Sequence, residues 1–255
     1  MKKIITVSKY TFIEIYKSKI MMNILLLGVA QLIICFIASE FTYGVRERVT
    51  LDFGMGVLSL ATCGIAIFMG ASLVSKEIDS RTIHMILARP IKRYQFLLGR
   101  SLGMGGILFV NVLLLGVLSI AFYLFLGGEF NNLLIWVILY AFLEAFIVLN
   151  VVLLLSLITN VTMSVIYTIA IYIVGHSLSD TILLSIMKFN PIIEKVLRVY
   201  STIFPNFSKL NIKDQLIYKS SLDLEFLTGA LAYGLFYSIT LLVIGAAIFR
   251  NKSLD

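Results

Sequence analysis

Leu133–Ile158 reads LLIWVILYAFLEAFIVLNVVLLLSLI, a run with one charged residue, Glu144. About 20 apolar residues carry a helix across a hydrocarbon core. Within lipid every backbone N–H and C=O must find its partner inside the protein, which makes such a run a helix and not an open strand. Comparable runs lie to either side, at Met21–Ser39, Phe53–Val74, Leu102–Leu126, Met163–Leu178 and Leu224–Phe249. The run ending near His176 is the shortest. The expected fold class is therefore all-α: a polytopic transmembrane helical bundle of about six spans, forming one domain over residues 1–255. Composition agrees, since 60% of the chain is hydrophobic and 14% charged, against roughly half and a quarter in soluble domains.

The segment 1–19 has a different pattern. On a helical projection Ile4, Ile5, Phe12, Ile15 and Tyr16 share one face, while Lys2, Lys3, Lys9, Glu14 and Lys17 take the other. That is an amphipathic helix suited to the membrane interface. A signal peptide is the competing reading, but its polar lead would be too long and its apolar run too extended.

The net charge of +7 arises from basic residues that flank apolar runs, so lipid headgroups and topology explain it without nucleic acid. With the N-terminus inside, the inner segments hold Lys2, Lys3, Lys9, Lys17 and Lys19, then Lys76, Arg81, Arg89, Lys92, Arg93 and Arg100, then Arg250 and Lys252. Those thirteen stand against eight outside: Arg46, Arg48, Lys188, Lys195, Arg198, Lys209, Lys213 and Lys219. The bias places both termini in the cytoplasm of a cell whose inner membrane the chain crosses several times. The 179–223 loop then lies outside. In it Ile193, Val196, Leu197, Tyr200 and Phe204 recur at helical spacing before Pro205-Asn206, which predicts one or two short amphipathic helices on the outer surface of the bundle.

Several chemistries are missing from the sequence. No Gly-Lys pair occurs, so there is no phosphate loop and no ATP hydrolysis by that route. The two histidines, His84 and His176, cannot form an H-E-x-x-H zinc helix. No G-x-S-x-G elbow is present. The nine methionines are scattered and read as lipid-facing or core filler, as do the two cysteines, Cys35 and Cys63, inside apolar runs. The chain is expected to be no enzyme and to bind no cofactor or metal of its own.

One segment joining two spans is far more charged than its flanks: Ser75–Gly103, SKEIDSRTIHMILARPIKRYQFLLGRSLG. Ile78, Thr82, Met85 and Ile86 share one helix face, with Lys76, Asp79 and Arg81 around the rest. Pro90 disfavours helix at Arg89. A short helix over Glu77–Leu87, leaving the second span and crossing the membrane surface, follows from this pattern. The runs K-E-I-D-x-R-T-I, L-A-R-P-I-K-R and F-L-L-G-R-x-L-G resemble the cytoplasmic segment of type-2 ABC exporter permeases, the closest group being the one labelled as involved in multi-copper enzyme maturation. Matching positions are Lys76, Glu77, Arg81, Thr82, Leu87, Pro90, Arg93, Phe96, Gly99 and Arg100. The similarity extends to the amphipathic N-terminus, the span count and the string Pro205-Asn206-Phe207-Ser208 with Asn211-Ile212-Lys213.

The resemblance implies the permease subunit of an ATP-driven exporter, which takes its transport energy from a separate ATPase subunit and carries no ATP site itself. Two permeases, identical or homologous, would pair with two copies of a separate ABC ATPase, which holds the ATP and Mg. Residues 75–100 would be the cytoplasmic coupling segment, with Glu77, Ile78, Asp79, Arg81, Thr82, Met85, Ile86, Arg89, Pro90 and Arg93 at the ATPase contact. The rival function is a membrane scaffold or mechanotransmission subunit that uses the same ATPase to act on an extracytoplasmic envelope partner. Within the membrane, Glu144 is costly, about 2.5–3.5 kcal/mol on insertion scales, and must face protein or water. It reads as an interhelical contact or as a translocation-path residue. Asn150 and Asn111 read as interhelical hydrogen-bonding groups. Gly99, Gly103, Gly105 and Gly106 read as a close-packing face.

Overall fold

Helix is the one regular structure these apolar runs form, because each closes its hydrogen bonds within itself. The computed structural model describes residues 2–18, 20–42, 44–79, 92–177, 195, 204–213, 216 and 222–251, with the backbone alone at 73–79. Among the described residues there are seven α-helices and no strand. They are α1 Lys2–Tyr16, α2 Ile20–Glu40, α3 Arg46–Asp79, α4 Arg93–Phe125, α5 Leu133–Ile158, α6 Val161–Ser177 and α7 Leu224–Asn251, with a 3-10 turn at Phe207–Leu210 between the last two. Five of them, α2, α3, α4, α5 and α7, are long and apolar enough to cross a membrane. The protein is an integral, multi-pass helical membrane protein. The sixth apolar helix, α6, has 17 residues, about 25 Å at 1.5 Å per residue, which is shorter than the roughly 30 Å hydrocarbon core.

The bundle is built around α5, which packs against α3, α4, α6 and α7. Of its most apolar stretch 72% is buried, against 22% in α2 and 17% in α7. The two peripheral helices therefore leave most of their apolar side chains to lipid or to another chain. The turn from α5 into α6 takes two residues, Thr159 and Asn160. It is held by Thr159 N–H and Oγ1 donating to Leu155 O at 2.8 and 2.9 Å, and by Ser164 N–H donating to Asn160 O at 2.9 Å.

Two helices differ from the apolar runs that predict them. The third span was expected to begin at Leu102, yet α4 begins at Arg93. Helix α3 begins at Arg46 and continues without a break to Asp79. With 33 and 34 residues, each is about 50 Å long. Hydropathy marks where a helix is apolar, and a helix can extend past the lipid when protein packs on its polar turns. At the start of α4 that protein is α1. The backbone N–H of Lys92, the N-cap, donates to Gln95 Oε1 at 3.2 Å and anchors the first turn.

Helix α1 lies along the first half of α4 in the same sense. Gly99 faces Ile4 and Val7, Gly103 faces Ser8 and Thr11, and Gly106 faces Phe12. A Cβ on Gly103 would stand 2.6 Å from Thr11 Cβ and 2.7 Å from Ser8 O, so the approach depends on glycine. The fourth glycine, Gly105, turns the other way, toward Phe146 of α5. Beside the groove Arg100, whose side chain is 8% exposed, donates from Nη1 to Glu14 Oε2 at 2.6 Å and to Thr11 Oγ1 at 3.2 Å. The apolar face expected on α1 is thereby divided. Ile15 is buried and Ile4 half-buried in the bundle, while Ile5 and Tyr16 stay exposed alongside Lys2 and Lys17.

The C-terminal end of α7 reaches the same place. Arg93 Nη1 donates to Phe249 O and Arg250 O at 3.5 Å, and Phe96 packs on Phe249 with ring centroids 6.4 Å apart. The first turns of α4 thus gather both ends of the described chain at one end of the bundle, called here the Arg93 end. The opposite end, where α5 begins, is the Leu133 end.

Candidate functional site

Two regions hold the residues singled out in the sequence. At the Arg93 end, Glu77, Ile78 and Asp79 form the last turn of α3, continuous with the span. Arg93 opens α4 and caps α7. Arg81, Thr82, Met85, Ile86, Arg89 and Pro90 lie outside the described residues, as do Ile193, Val196, Leu197 and Tyr200 of the long loop.

The second region is Glu144, 3% exposed in the middle of α5. Its Oε1 accepts from Ser59 Oγ of α3 at 3.0 Å and from Tyr172 OH of α6 at 3.0 Å, and it lies 2.9 Å from His176 Nε2. Cys63 Sγ of α3 is 3.7 Å away. Donors from two neighbouring helices therefore converge on one carboxylate oxygen, and the cost of burying a charge there is met by hydrogen bonds and by the imidazole.

Hairpin geometry explains the meeting of Glu144 and His176. Counted from the tight α5–α6 turn, Glu144 lies fourteen residues before Ile158 and His176 fifteen after Val161, so antiparallel packing brings them level. That count was available from the sequence. Tyr172, one turn before His176 on α6, follows from the same count, but Ser59 and Cys63 do not, because nothing in one chain's hydropathy says which face of α3 meets α5.

The cluster is covered by the segment 204–213. Phe207, 1% exposed, stacks on His176 with centroids 5.5 Å apart and planes 18° off parallel, and it also meets Tyr172 at 5.5 Å. Gly175 makes room, since a Cβ there would lie 2.6 Å from Phe207 Cδ2 and 2.7 Å from Pro205 O. Asn206 N–H donates to Tyr233 OH of α7 at 2.8 Å, and Asn206 Oδ1 accepts from Ser208 N–H at 3.1 Å. Lys209 Nζ sits 5.5 Å from the centre of the Tyr233 ring. Past the Pro205-Asn206 break, which ends the run expected to form outer-surface helices, Phe207, Leu210 and Ile212 are buried in the bundle. The Asn206 and Asn211 side chains serve the segment's own turns, accepting from Ser208 N–H and Lys213 N–H.

The remaining polar candidates bridge helices. Ser101 Oγ of α4 donates to Asn150 Oδ1 of α5 at 2.7 Å, and Asn111 Nδ2 of α4 donates to Thr62 Oγ1 of α3 at 3.1 Å. A residue not singled out, Gln31 of α2, donates from Nε2 to Gly54 O and Leu115 O at 3.1 Å each and lies against Ser119 Oγ. Between α2 and α3 a cleft of about 590 Å³ opens on the bundle's flank, lined by apolar side chains such as Leu27, Ile65 and Phe68 with Asn23 and Ser72 among them. Among the described residues no three His, Cys, Asp or Glu side chains are grouped to hold a metal ion.

These features describe a membrane bundle with a polar anchor between its central helices. A comparison with curated proteins finds no match. The model of the family described as ABC-2 family transporter protein matches residues 4–254. That match takes in all seven helices, α1 included, and the chain belongs to the ABC-2 transporter family, as a membrane-spanning permease component of an ABC transporter.

Proposed function

We propose that this chain is the permease subunit of an ABC exporter, paired with a second permease and driven by two copies of a separate ATPase that docks at the Arg93 end. The family match carries the reading. A permease whose sequence lacks a phosphate loop takes its energy from another subunit, and that subunit needs a protein surface beyond the lipid. The Arg93 end supports this role. There α3 runs on as helix to Asp79, α4 starts, α1 is fastened by Arg100 and Glu14, and α7 is capped by Arg93. A force applied at the start of α4 would reach α1 through Arg100–Glu14 and α7 through Arg93 and Phe249. The resemblance of that segment to the multi-copper-enzyme-maturation group concerns this machinery and names no cargo. In this reading the Arg93 end faces the cytoplasm of the inner membrane and the Leu133 end faces out.

The test is an Ile86→Asp variant purified gently from membranes with whatever binds it. Asp in an apolar contact leaves a charge unpaired, so a subunit identified as a phosphate-loop ATPase should fall at least about tenfold in recovery. Ser208→Asp, at the far end, should leave it unchanged. Full recovery of ATPase and full coupled activity in Ile86→Asp would refute the docking assignment.

A further inference from the structure

Of the side chains gathered on Glu144 Oε1, histidine is the type that changes charge between about pH 5 and 8. Ser59 and Tyr172 hold the oxygen as hydroxyl donors at 3.0 Å each. His176 Nε2 lies 2.9 Å from the same oxygen. A carboxylate oxygen accepts only, so Nε2 carries the proton between these two atoms. The other ring nitrogen, Nδ1, then decides whether the ring is a neutral imidazole or an imidazolium.

The remaining titratable groups on the elements packed here are few. Tyr172 of α6 donates to the carboxylate and Cys63 of α3 stands 3.7 Å from it. Helix α7 brings Tyr233, whose hydroxyl accepts from Asn206 N–H, with Lys209 lying over its ring. Lys213 of the covering segment is half-buried. With His176 neutral, the Glu144–His176 pair holds one negative charge in a side chain 4% exposed. With His176 protonated, the pair is neutral overall, and the cost of an uncompensated buried charge is removed.

The ring that takes the proton is also the one on which the segment 204–213 sits. Phe207 stacks on His176 and meets Tyr172, both at 5.5 Å between centroids. Gly175, the residue before His176, lets Phe207 and the Pro205 carbonyl come against α6. Phe207, Leu210 and Ile212 are all at most 2% exposed. The His176 side chain is 25% exposed, against 4% for Glu144, so the pair gains and loses its proton through the ring. A ring drawn toward Glu144 keeps the surface that Phe207 covers in place, and a ring released from Glu144 takes that surface away.

We infer that Glu144 and His176 form a proton-binding site, in which one proton taken up by the imidazole neutralises the buried carboxylate and fastens the segment 204–213 onto α6. The proton comes from water and binds at Nδ1, while Nε2–H stays on Oε1, so no other bond changes. Glu144 and His176 are then positioning residues for the segment. The consequence for transport rests on the permease reading: cargo leaving between α5, α6 and α7 has to unseat the segment, and acid opposes that step. The site itself needs no ATPase and is tested without one, so its failure and the failure of ATPase docking are separate results.

The experiment is hydrogen–deuterium exchange by mass spectrometry on the full chain in lipid nanodiscs, at about pH 5.5 and 8.5. Exchange over 204–213 is read as protection relative to an unstructured peptide at the same pH, which cancels the pH dependence of the chemistry. Wild-type protection should be about tenfold greater at the lower pH. His176→Gln keeps a donor for Glu144 without a titrating ring, and its protection should be the same at both. Glu144→Gln keeps the ring and its stack on Phe207 but removes the carboxylate. Acid then places an unpaired charge in a buried site, so protection should fall, the reverse of wild type. Wild-type protection that does not change with pH would overturn the proposal. So would a pH response retained in His176→Gln, which would assign it to another group. Should His176→Gln also loosen α5 and α6, Glu144→Gln decides: a response of wild-type sign there would overturn the pair as the site.

Discussion

Replacing Gly103 with alanine adds one methyl group at the tightest point between α1 and α4. That methyl would meet Thr11 Cβ at 2.6 Å, Ser8 O at 2.7 Å and Thr11 Cγ2 at 2.9 Å. Carbon atoms rest at about 3.5–4.0 Å, so α1 has to retreat by roughly 1 Å. All three atoms belong to the backbone or to a β-branched side chain, with little freedom to swing aside. A 1 Å retreat also stretches the 2.6 Å Arg100–Glu14 contact past hydrogen-bond length. Overpacking of this kind costs about 1–3 kcal/mol, offset by about 0.5–1 kcal/mol of helix propensity gained on replacing glycine. The net loss, about 1–2 kcal/mol, corresponds to a roughly 5–30-fold rise in the detached population of α1. Gly64 provides the control. A Cβ there meets nothing within 4 Å, so Gly64→Ala should be neutral or slightly stabilising. Amide exchange over 3–16 in nanodiscs reads α1 directly: fast in Gly103→Ala, unchanged in Gly64→Ala. If the two variants protect α1 equally, the glycine groove is not what holds α1 on α4.

Two further outcomes follow from the same structure and sequence. Cysteines replacing Phe130, in the α4–α5 connection, and Asn251, at the end of α7, should label from opposite sides of the membrane in a background lacking Cys35 and Cys63. Labelling of both from one side would contradict the expected topology of about six spans, in which α6 crosses as well. Arg81→Glu, a charge change at the rim of the docking segment, should lower ATPase recovery by less than about fivefold, in keeping with the 0.2–1 kcal/mol range of exposed ion pairs. A loss as large as that of Ile86→Asp would mean that Arg81 is a buried anchor.

The spans were legible where composition alone decides. Helix α5 begins and ends where its apolar run does, at Leu133 and Ile158. Legibility failed where a polar residue sits in a helix for a reason lying elsewhere in the chain. Arg93 and Arg100 read as loop, because an arginine in a span is unfavourable until Glu14, 86 residues earlier, is known to stand beside it. Glu144 itself stood out at once, being the single charge of its run. Which residues answer it depended on helix neighbours, and of those only His176 and Tyr172 were within reach of residue counting.

The docking of an ATPase on the segment after α3 is most directly tested by cross-linking in native membranes. Single cysteines at Arg81, Met85, Ile86 and Arg89, each treated with a short bifunctional thiol reagent, should yield adducts in which mass spectrometry identifies a subunit with a phosphate loop. A cysteine at Phe130 should yield none. Adducts from the four positions after α3 that contain only a second permease, or from Phe130 that contain the ATPase, would contradict the assignment of this chain's Arg93 end as the place where ATP-driven motion enters the bundle.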